Sequence, residues 1–323
     1  MVKAIRVHRP GGPEALQLEE VDLAAPGPGE VQIRQKAIGV NYIDVYRRTG
    51  AYPAELPFIP GHEGAGQIVA VGEGVDDFDV GDRVAYVGAL GGYSEARNIA
   101  ADSVIHLPKS VGYEQGAVMM LKGLTAQYLL RRTFRVKKGH RVLIHAGAGG
   151  VGQLLCQWAR ALGAKVIATV GSPEKAEIAL KAGAQHTILY REENFAERVK
   201  EITRGRLCDV VYDGVGRATF PASLDCLAPL GMFVSFGSAS GPIEAFDINL
   251  LAQKGSLYAT RPSLFTYIAK RDDYEDMAED LLHAIKRGHL TIEAPQSFPL
   301  AEAARVHAAL ESRQTAGSMV LIP

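Results

Sequence analysis

Arg141 to Gly152 reads RVLIHAGAGGVG, an apolar run of β character that feeds without a break into Gly147-Ala148-Gly149-Gly150-Val151-Gly152. Glycines at that spacing, after a strand and at the opening of a helix, bring a dinucleotide pyrophosphate onto a helix N-terminus. Two physical reasons call for glycine. The turn is expected to need backbone angles that side chains resist, and a Cβ would hold phosphates away from the backbone N–H groups and the helix dipole. Gly147, Gly149, Gly150, Val151 and Gly152 are therefore the expected pyrophosphate contacts.

The flanks support this reading. Val151, Leu154, Leu155, Trp158, Ala159 and Leu162 fall on one helical stripe that stops at Gly163, a residue suited to a C-terminal cap. A second apolar run, Val166-Ile167-Ala168-Thr169-Val170, follows at once. Strand, glycine turn, amphipathic helix and strand within about thirty residues make a βαβ unit, whose crossover is expected to be right-handed.

An NAD site usually places Asp or Glu about 20 residues further on, where the carboxylate accepts from the adenosine ribose hydroxyls. Val166 to Gly171 contains no acid; instead Gly171-Ser172-Pro173-Glu174-Lys175 follows the second strand. A hydroxyl and an ammonium near the 2′ position stabilise a 2′-phosphate by charge-assisted hydrogen bonding, whereas a carboxylate there repels it. NADPH is thus the expected dinucleotide, with Ser172 and Lys175 at its 2′-phosphate. Ser172 also reads as a helix N-cap ahead of Pro173 at the first helical position, a role compatible with phosphate contact. Lys175 equally reads as a solvated surface lysine. Tyr190, ending the next apolar run from His186, is a further candidate for stacking or hydrogen bonding, and equally an ordinary half-buried strand-end tyrosine.

A chain of 323 residues can bury roughly three quarters of its unfolded surface, enough for two cores without a staple. Lys plus Arg total 35 against 36 for Asp plus Glu, a balance with no global field to draw nucleic acid or anionic lipid. The expected partners are small molecules or the protein itself, not nucleic acid and not a membrane. The basic run Arg131-Arg132-Thr133-Phe134-Arg135 reads as a solvated helix end. Cys156, Cys208 and Cys226 lie far apart within apolar patterns, in the wrong number and setting for a disulfide framework or a metal cluster. That usage fits a reducing compartment. The N-terminus MVKAIRVHRP alternates like a strand, and no 18-residue uncharged apolar stretch occurs, so a soluble cytoplasmic protein is expected.

From Met1 to about Leu107 the apolar runs are short, often alternating and cut by Pro and Gly: Lys3 to His8, Leu16 to Val21, Val31 to Val40, Gly66 to Val71 and Arg83 to Val87. This half reads as a small barrel-like sheet. A helical pattern covers Ala117 to Leu130, and from Gly139 strand and helix alternate, with strands predicted at 141–146, 165–170, 186–190, 208–213, 231–236 and 256–260. Six strands in two βαβαβ halves predict a doubly wound parallel sheet in the order 3-2-1-4-5-6. Helices follow from Asp273 to Arg287 and from Ala301 to Glu311, and a last strand, Ser318 to Ile322, is expected to return to the first domain. The fold class is α/β: a β-rich domain from residues 1–123 and 262–323, and a Rossmann-type domain from residues 124–261.

Asn41-Tyr42-Ile43-Asp44, then Pro60-Gly61-His62-Glu63-Gly64-Ala65-Gly66, then Val80-Gly81-Asp82-Arg83-Val84, then the glycine loop, stand in the order and spacing of a known family. Over essentially its whole length the chain resembles the medium-chain dehydrogenase/reductase superfamily. Its His145–Gly152 and Val234-Ser235-Phe236-Gly237 segments are similar to the zinc-free quinone oxidoreductase branch, the bacterial relatives of ζ-crystallin. The resemblance implies a GroES-like catalytic domain, a Rossmann-type domain, use of NADPH, and a homodimer formed through the sixth-strand region around Pro242 to Ser256.

Zinc-dependent alcohol dehydrogenases of the superfamily place a Cys near Asn41, a His in the motif written here Gly61-His62-Glu63, and a further Cys or acid later. Only the His is present, and the four-cysteine structural lobe is missing. Catalytic zinc normally takes three protein ligands and keeps one position open. No metal is therefore expected, and His62 is expected to be a buried hydrogen-bonding residue that shapes its domain.

Without a Lewis acid to hold an alkoxide, alcohol oxidation loses its main support, whereas a quinone or activated enone is electrophilic enough to accept hydride from NADPH. The activity the resemblance implies is NADPH:quinone reduction, with the nicotinamide in an interdomain cleft. An NADPH-dependent enoyl or alkenal reductase, and a low-turnover NADPH-binding regulatory protein, are the alternatives. The protein's part is to position the nicotinamide C4 and to donate hydrogen bonds where charge develops on oxygen. Expected donors are Asn41, Tyr46 and Tyr52, with Thr125 at the nicotinamide end; Asp44 is expected to orient Asn41 or the cofactor ribose. Asn41 also reads as a turn residue, the two tyrosines as surface packing, and Thr125 as an ordinary helix threonine. Phe236, Gly237 and Ser238, ending the fifth strand, are expected near the nicotinamide because ligands of open α/β sheets gather at the switch point; the same residues read as a simple turn. Arg313 resembles a family position that reaches back to the cofactor and also reads as a solvated helix-end arginine.

Overall fold

The computed structural model describes residues 1–312 and 317–323. Strands β1 (Val2–Arg6), β2 (Gln17–Val21) and β3 (Glu30–Gly39) precede helix α1 (Tyr42–Arg48). Then come β4 (Glu63–Val71), β5 (Arg83–Val87), β6 (Ala96–Ala100), β7 (Val104–His106) and the long α2 (Tyr113–Tyr128). The alternating part runs β8 (Arg141–Ile144), α3 (Gly150–Ala161), β9 (Lys165–Val170), α4 (Pro173–Lys181), β10 (His186–Leu189), α5 (Phe195–Ile202) and β11 (Cys208–Asp213). It continues through β12 (Leu227–Ser235), α6 (Asn249–Gln253) and β13 (Tyr258–Thr260). Helices α7 (Leu264–Tyr267) and α8 (Arg271–Lys286), strand β14 (Gln296–Pro299), helix α9 (Ala303–Glu311) and strand β15 (Met319–Ile322) close the chain. Among the described residues no helix is long and apolar enough to cross a membrane.

These elements form two compact units. The first comprises Met1–Leu121, Lys270–Ala278 and Ile292–Pro323; the second comprises Lys122–Ala269 and Glu279–Thr291.

In the first unit a sheet runs in the order β14-β15-β3-β4-β5-β7, with β6 also paired to β3. Period-two alternation along β3 turns Val31 and Ile33 into a core shared with Ile68, Phe78, Val84, Tyr86, Ile99 and Val104. The last strand does return to this half: β15 pairs antiparallel with β3 through Val320 opposite Gly39 and Leu321 opposite Ile38. Its Met319 and Leu321 enter a second core with Ile5, Val7, Ile38, Val40, Leu300 and Val306.

The second unit holds a six-stranded sheet in the order β10-β9-β8-β11-β12-β13, with every neighbouring pair parallel. Counted within the unit this is 3-2-1-4-5-6, the order expected of a doubly wound sheet. β8 stops at Ile144, two residues earlier than the apolar run suggests, because Ala146 turns to φ +55° and cannot continue a strand. Helix α3 buries Leu154, Leu155, Trp158 and Ala159. It ends in a Schellman cap: Gly163, at φ +81°, donates its N–H to the Arg160 carbonyl at 2.9 Å, and Ala164 donates to Ala159 at 3.0 Å.

Candidate functional site

The glycine loop is shaped by contact more than by unusual dihedrals, which corrects the expectation that its turn needs backbone angles reserved for glycine. None of Gly147, Gly149, Gly150 and Gly152 has a positive φ; the left-handed residue is Ala146, a conformation that costs a residue with a Cβ roughly 1–2 kcal/mol. The glycines are required by closeness. A Cβ on Gly152 would stand 2.2 Å from the Ala146 carbonyl oxygen, and one on Gly147 would stand 2.5 Å from the Ala168 Cβ on β9. Turn and helix therefore pack backbone to backbone, and the Ala168 methyl of the neighbouring strand packs directly on Gly147. Gly149 caps α3 with extended dihedrals and no side-chain hydrogen bond to the first N–H groups of the helix. The Gly147 and Gly149 N–H groups are themselves donated to the Thr169 and Ala146 carbonyls at 3.0 and 2.9 Å, which corrects their reading as N–H contacts and leaves them a role in close approach. Val151, the first apolar residue of the helix, is half-buried.

At the carboxyl end of β9, Ser172 is the N-cap of α4: its hydroxyl oxygen accepts from the Lys175 N–H at 3.4 Å, with Pro173 in the first turn. Lys175 is half-buried. Tyr190, 43% exposed, brings its hydroxyl to 2.9 Å from where a Cβ on Gly171 would stand, so Tyr190 and the Gly171–Lys175 turn adjoin. The Ser172 hydroxyl also donates to Glu174, which holds that exposed carboxyl below the ordinary carboxylate range.

Phe236, Gly237 and Ser238 do form a turn, and a crowded one. Phe236 and Gly237 donate their N–H groups to the Asp213 carbonyl at 2.8 and 3.3 Å. A Cβ on Gly237 would meet the Gly214 carbonyl at 2.6 Å, and one on Gly214 would meet the Phe236 ring at 3.0 Å. Arg261 fixes the far side, donating to the Ser235 carbonyl at 2.9 Å and to the Ser238 hydroxyl at 3.4 Å. Thr125 is buried on α2 in the same unit.

In the first unit Asn41 is the N-cap of α1, with φ −139° and ψ 157°. Its backbone N–H donates to the Asp44 carboxylate at 2.9 Å, and its side-chain amide donates to Glu63 at 2.7 Å. Asp44 thus orients Asn41 through the backbone. The other Glu63 oxygen accepts from the Leu121 N–H at 2.7 Å. Behind Asp44 a chain of bonds can be given a direction. Arg48 can only donate, so His307 accepts on Nδ1 at 3.3 Å; its Nε2–H then donates to the Tyr93 hydroxyl at 2.9 Å, and Tyr93 donates to Asp44 at 3.2 Å. Arg48 also makes a two-pronged pair with Glu311 at 2.9 and 2.8 Å. Burial first, and the Arg48 charge second, push the His307 pKa down to about 3, which keeps the ring neutral.

Tyr46 and Tyr52 come together, their ring centroids 5.1 Å apart and tilted by 52°, with Arg47 over the Tyr52 ring at 5.8 Å. Both rings are half-buried. Arg313 lies outside the described residues.

The residues of the first unit do not fit a zinc ion. His62 is buried with Nδ1 bonded to the Gly88 carbonyl at 2.8 Å, and burial pushes its pKa down to about 4. The neighbouring ligand position is an amide, Asn41, already engaged by Glu63. All three cysteines lie in the second unit, and among the described residues no group of three or more His, Cys, Asp or Glu is placed to hold a metal.

Several polar residues central to this geometry carry no role assigned from the sequence: Glu63, Tyr93, His307 and Arg48 in the first unit, and His145, Asp213 and Arg261 in the second. Glu63 carried a signal, being an acid at the head of the run Glu63–Val71, and the sheet buries it completely. His145 carried another, as the polar interruption between an apolar strand and the glycines.

Comparison with known proteins adds three findings. The family described as alcohol dehydrogenase GroES-like domain matches residues 27–133, and the family described as zinc-binding dehydrogenase matches residues 150–283. A quinone oxidoreductase of Pseudomonas aeruginosa is 52% identical over the full length of both chains, and a 2-haloacrylate reductase of Burkholderia is 46% identical over 100% of this chain and 99% of its own. The crystal structure of Escherichia coli quinone oxidoreductase complexed with NADPH superposes with a TM-score of 0.97 at 49% identity, covering 99% of this chain and 100% of that one.

Proposed function

Because the chain belongs to the quinone oxidoreductase branch of the medium-chain dehydrogenase/reductase superfamily, we propose that it is an NADPH:quinone oxidoreductase that works without a metal ion. The observation that carries this reading is a pair: a glycine loop that tolerates no Cβ at Gly147 or Gly152, and a buried amide, Asn41, held by Glu63 where zinc enzymes of the superfamily use a thiolate.

When bound, NADPH supplies a hydride from its reduced pyridine ring. The chain's own part begins with Gly150, Val151 and Gly152, whose backbone N–H groups at the start of α3 receive the pyrophosphate, while Gly149, its N–H donated to the Ala146 carbonyl, contributes the close approach of a residue without a side chain. Ser172, Lys175 and Tyr190 take the 2′-phosphate, Lys175 by charge and the other two through hydroxyls. Thr125, Phe236, Gly237 and Ser238 bound the nicotinamide end, where the Phe236 ring packs against Gly214. Asn41, Tyr46 and Tyr52 donate to the acceptor oxygen as negative charge builds there. An amide carries two N–H donors, so Glu63 can hold one while the other serves the acceptor. The neighbouring Tyr46 and Tyr52 rings offer hydroxyls beside aromatic faces suited to a planar ring.

Stopped-flow oxidation of NADPH with benzoquinones and naphthoquinones tests the proposal, with 2-enals, enoyl thioesters and 2-haloacrylates run in parallel. Fast turnover confined to quinones supports it. No acceleration by any quinone, or turnover confined to activated alkenes, overturns it.

We also infer a cytoplasmic homodimer. Three buried free thiols suit a reducing compartment. β13 is the terminal strand of its sheet, and Leu230, Phe246, Ile248 and Tyr258 in this region are 64%, 41%, 73% and 57% exposed. An apolar edge strand is a template for pairing with a second copy. Sedimentation should give a dimer that Tyr258→Lys weakens; a monomer at micromolar concentration would overturn it.

A further inference from the structure

Beneath the glycine loop the second unit buries a row of polar side chains that hydride transfer itself does not use: Thr169, His145, Ser223, Asp213 and Thr219. His145 Nδ1 lies 2.9 Å from the Thr169 hydroxyl, and its Nε2 lies 3.0 Å from the Ser223 hydroxyl. The direction of these bonds follows from their neighbours. Ser223 has two acceptor-only groups to donate to, the Thr219 carbonyl at 3.0 Å and the Asp213 carboxylate at 3.4 Å. Its proton goes to one of them, so its oxygen accepts from His145 Nε2–H. Nδ1 of the neutral ring is then the acceptor, and Thr169 donates to it. Burial keeps His145 below its ordinary pKa, against the pull of Asp213.

This row touches four strand ends. The His145 N–H donates to the Tyr212 carbonyl on β11 at 3.0 Å, and the Gly147 N–H donates to the Thr169 carbonyl on β9 at 3.0 Å. The Asp213 carboxylate accepts from the N–H groups of Val215 and Gly216 at 2.7 and 3.0 Å and from the Thr219 hydroxyl at 2.6 Å. The Asp213 carbonyl holds Phe236, just past β12. His145 is therefore bonded on one side to the strand that leads into Ser172 and on the other, through Ser223, to Asp213, whose carbonyl holds Phe236, and it immediately precedes the left-handed Ala146.

We propose that His145 is a positioning residue for NADPH: by accepting from Thr169 and donating to Ser223 it locks the Ala146 turn and the carboxyl ends of β9 and β11 into the arrangement that receives the dinucleotide. This rests on the proposed use of NADPH. A neutral imidazole suits that role because it presents one acceptor and one donor on opposite sides of a rigid ring. Losing either leaves a buried partner unsatisfied.

Two variants separate positioning from packing. His145→Phe keeps a ring and loses both nitrogens; Thr169→Val keeps the side-chain shape and loses only the donor to Nδ1. The expected result by calorimetry is an NADPH Kd raised about tenfold in His145→Phe and about threefold in Thr169→Val, with kcat at saturating NADPH within about twofold of wild type. The double variant should bind no worse than His145→Phe alone, because both substitutions break one coupled row. His145→Gln, which can still donate toward Ser223, should recover part of the affinity. A Kd unchanged in both single variants, or melting temperatures lowered while Kd stays fixed, overturns the inference and leaves His145 as core. If His145→Phe does not fold, the Kd of Thr169→Val alone decides. Wild-type protein that fails to bind NADPH overturns the underlying cofactor reading, a result distinct from any behaviour of the variants.

Discussion

The two units organise their buried polar groups by opposite routes. In the second, Thr169, His145 and Asp213 occupy adjacent strand ends of one parallel sheet, and the loop they support is the next stretch of chain after His145. In the first, the N-cap Asn41 and two residues of the short helix it opens, Asp44 and Arg48, are completed by Tyr93, His307 and Glu311, which stand 49, 259 and 263 residues away from their partners. A parallel sheet brings every loop at one edge to the same place by rule. A mixed β-rich unit has no such rule, so its polar centre is closed by contacts that no local pattern announces.

The largest effect should come from breaking the local half. Gly152→Val would put its Cβ 2.2 Å from the Ala146 carbonyl, and the backbone there has nowhere to move without lifting α3 from the turn. NADPH affinity should fall at least about a hundredfold, roughly 2.7 kcal/mol, in a fluorescence titration. Affinity kept within a few-fold would show that this loop is not the pyrophosphate seat, and the contrast between the units would lose its functional side.

The non-local half is best probed by pH. An imidazole in an unfolded chain titrates near 6.5, whereas burial pushes His307 down to about 3 and His62 to about 4. Between those values and about pH 6.5 the unfolded chain carries protons that the folded one lacks. Stability therefore rises with pH across the window and is lost as pH falls through it. His307→Gln removes one such group, so its urea-unfolding free energy should depend less steeply on pH between about 6 and 4, by up to about 1.4 kcal/mol per unit. Parallel slopes for wild type and variant would mean that His307 is not held neutral.

How much was readable follows the same division. The glycine loop, the Ser172 cap and the Gly163 cap each lie within a few residues, and the 3-2-1-4-5-6 order is assembled from repeated strand–helix–strand units a few tens of residues long; hydrophobic period, capping chemistry and glycine spacing report on that scale. What the loop glycines do was only half legible, since the clash with Ala146 and Ala168 depends on a packing distance that spacing does not contain. In the first unit Asn41 and Asp44 could be singled out, being neighbours. Tyr93, His307 and Arg48 could not, because each looks like an ordinary surface residue until β15 and α9 return to the sheet. Glu63 falls between these cases: its burial was foreshadowed by the apolar run around it, while its partner Asn41 lies 22 residues back.

Within the second unit the comparison sharpens to two charges of opposite sign on the same turn. Lys175→Ala should raise the Kd for NADPH about tenfold and leave NADH nearly unchanged, the signature of a lost charge-assisted bond to a phosphate. Equal loss for both dinucleotides, read in parallel titrations, would show that Lys175 does not meet the 2′-phosphate.

Glu174 supplies the counterweight and the smallest effect. Its carboxyl, held ionised by the Ser172 hydroxyl and by its own backbone N–H, places a negative charge in the first turn after the N-cap that is to meet the 2′-phosphate. Both groups face water, so their repulsion is screened and should disappear at high salt. Glu174→Gln should tighten NADPH about two- to threefold at low ionic strength, leave NADH unaltered, and converge with wild type near 0.5 M salt, where the Debye length falls to about 4 Å. The sign carries the argument, because an acid and a base on one turn must move the same titration in opposite directions if a phosphate lies between them. Should Glu174→Gln weaken NADPH instead, its carboxylate would be acting through the Ser172 cap, and the 2′ subsite would have to be drawn from Lys175 and Tyr190 alone.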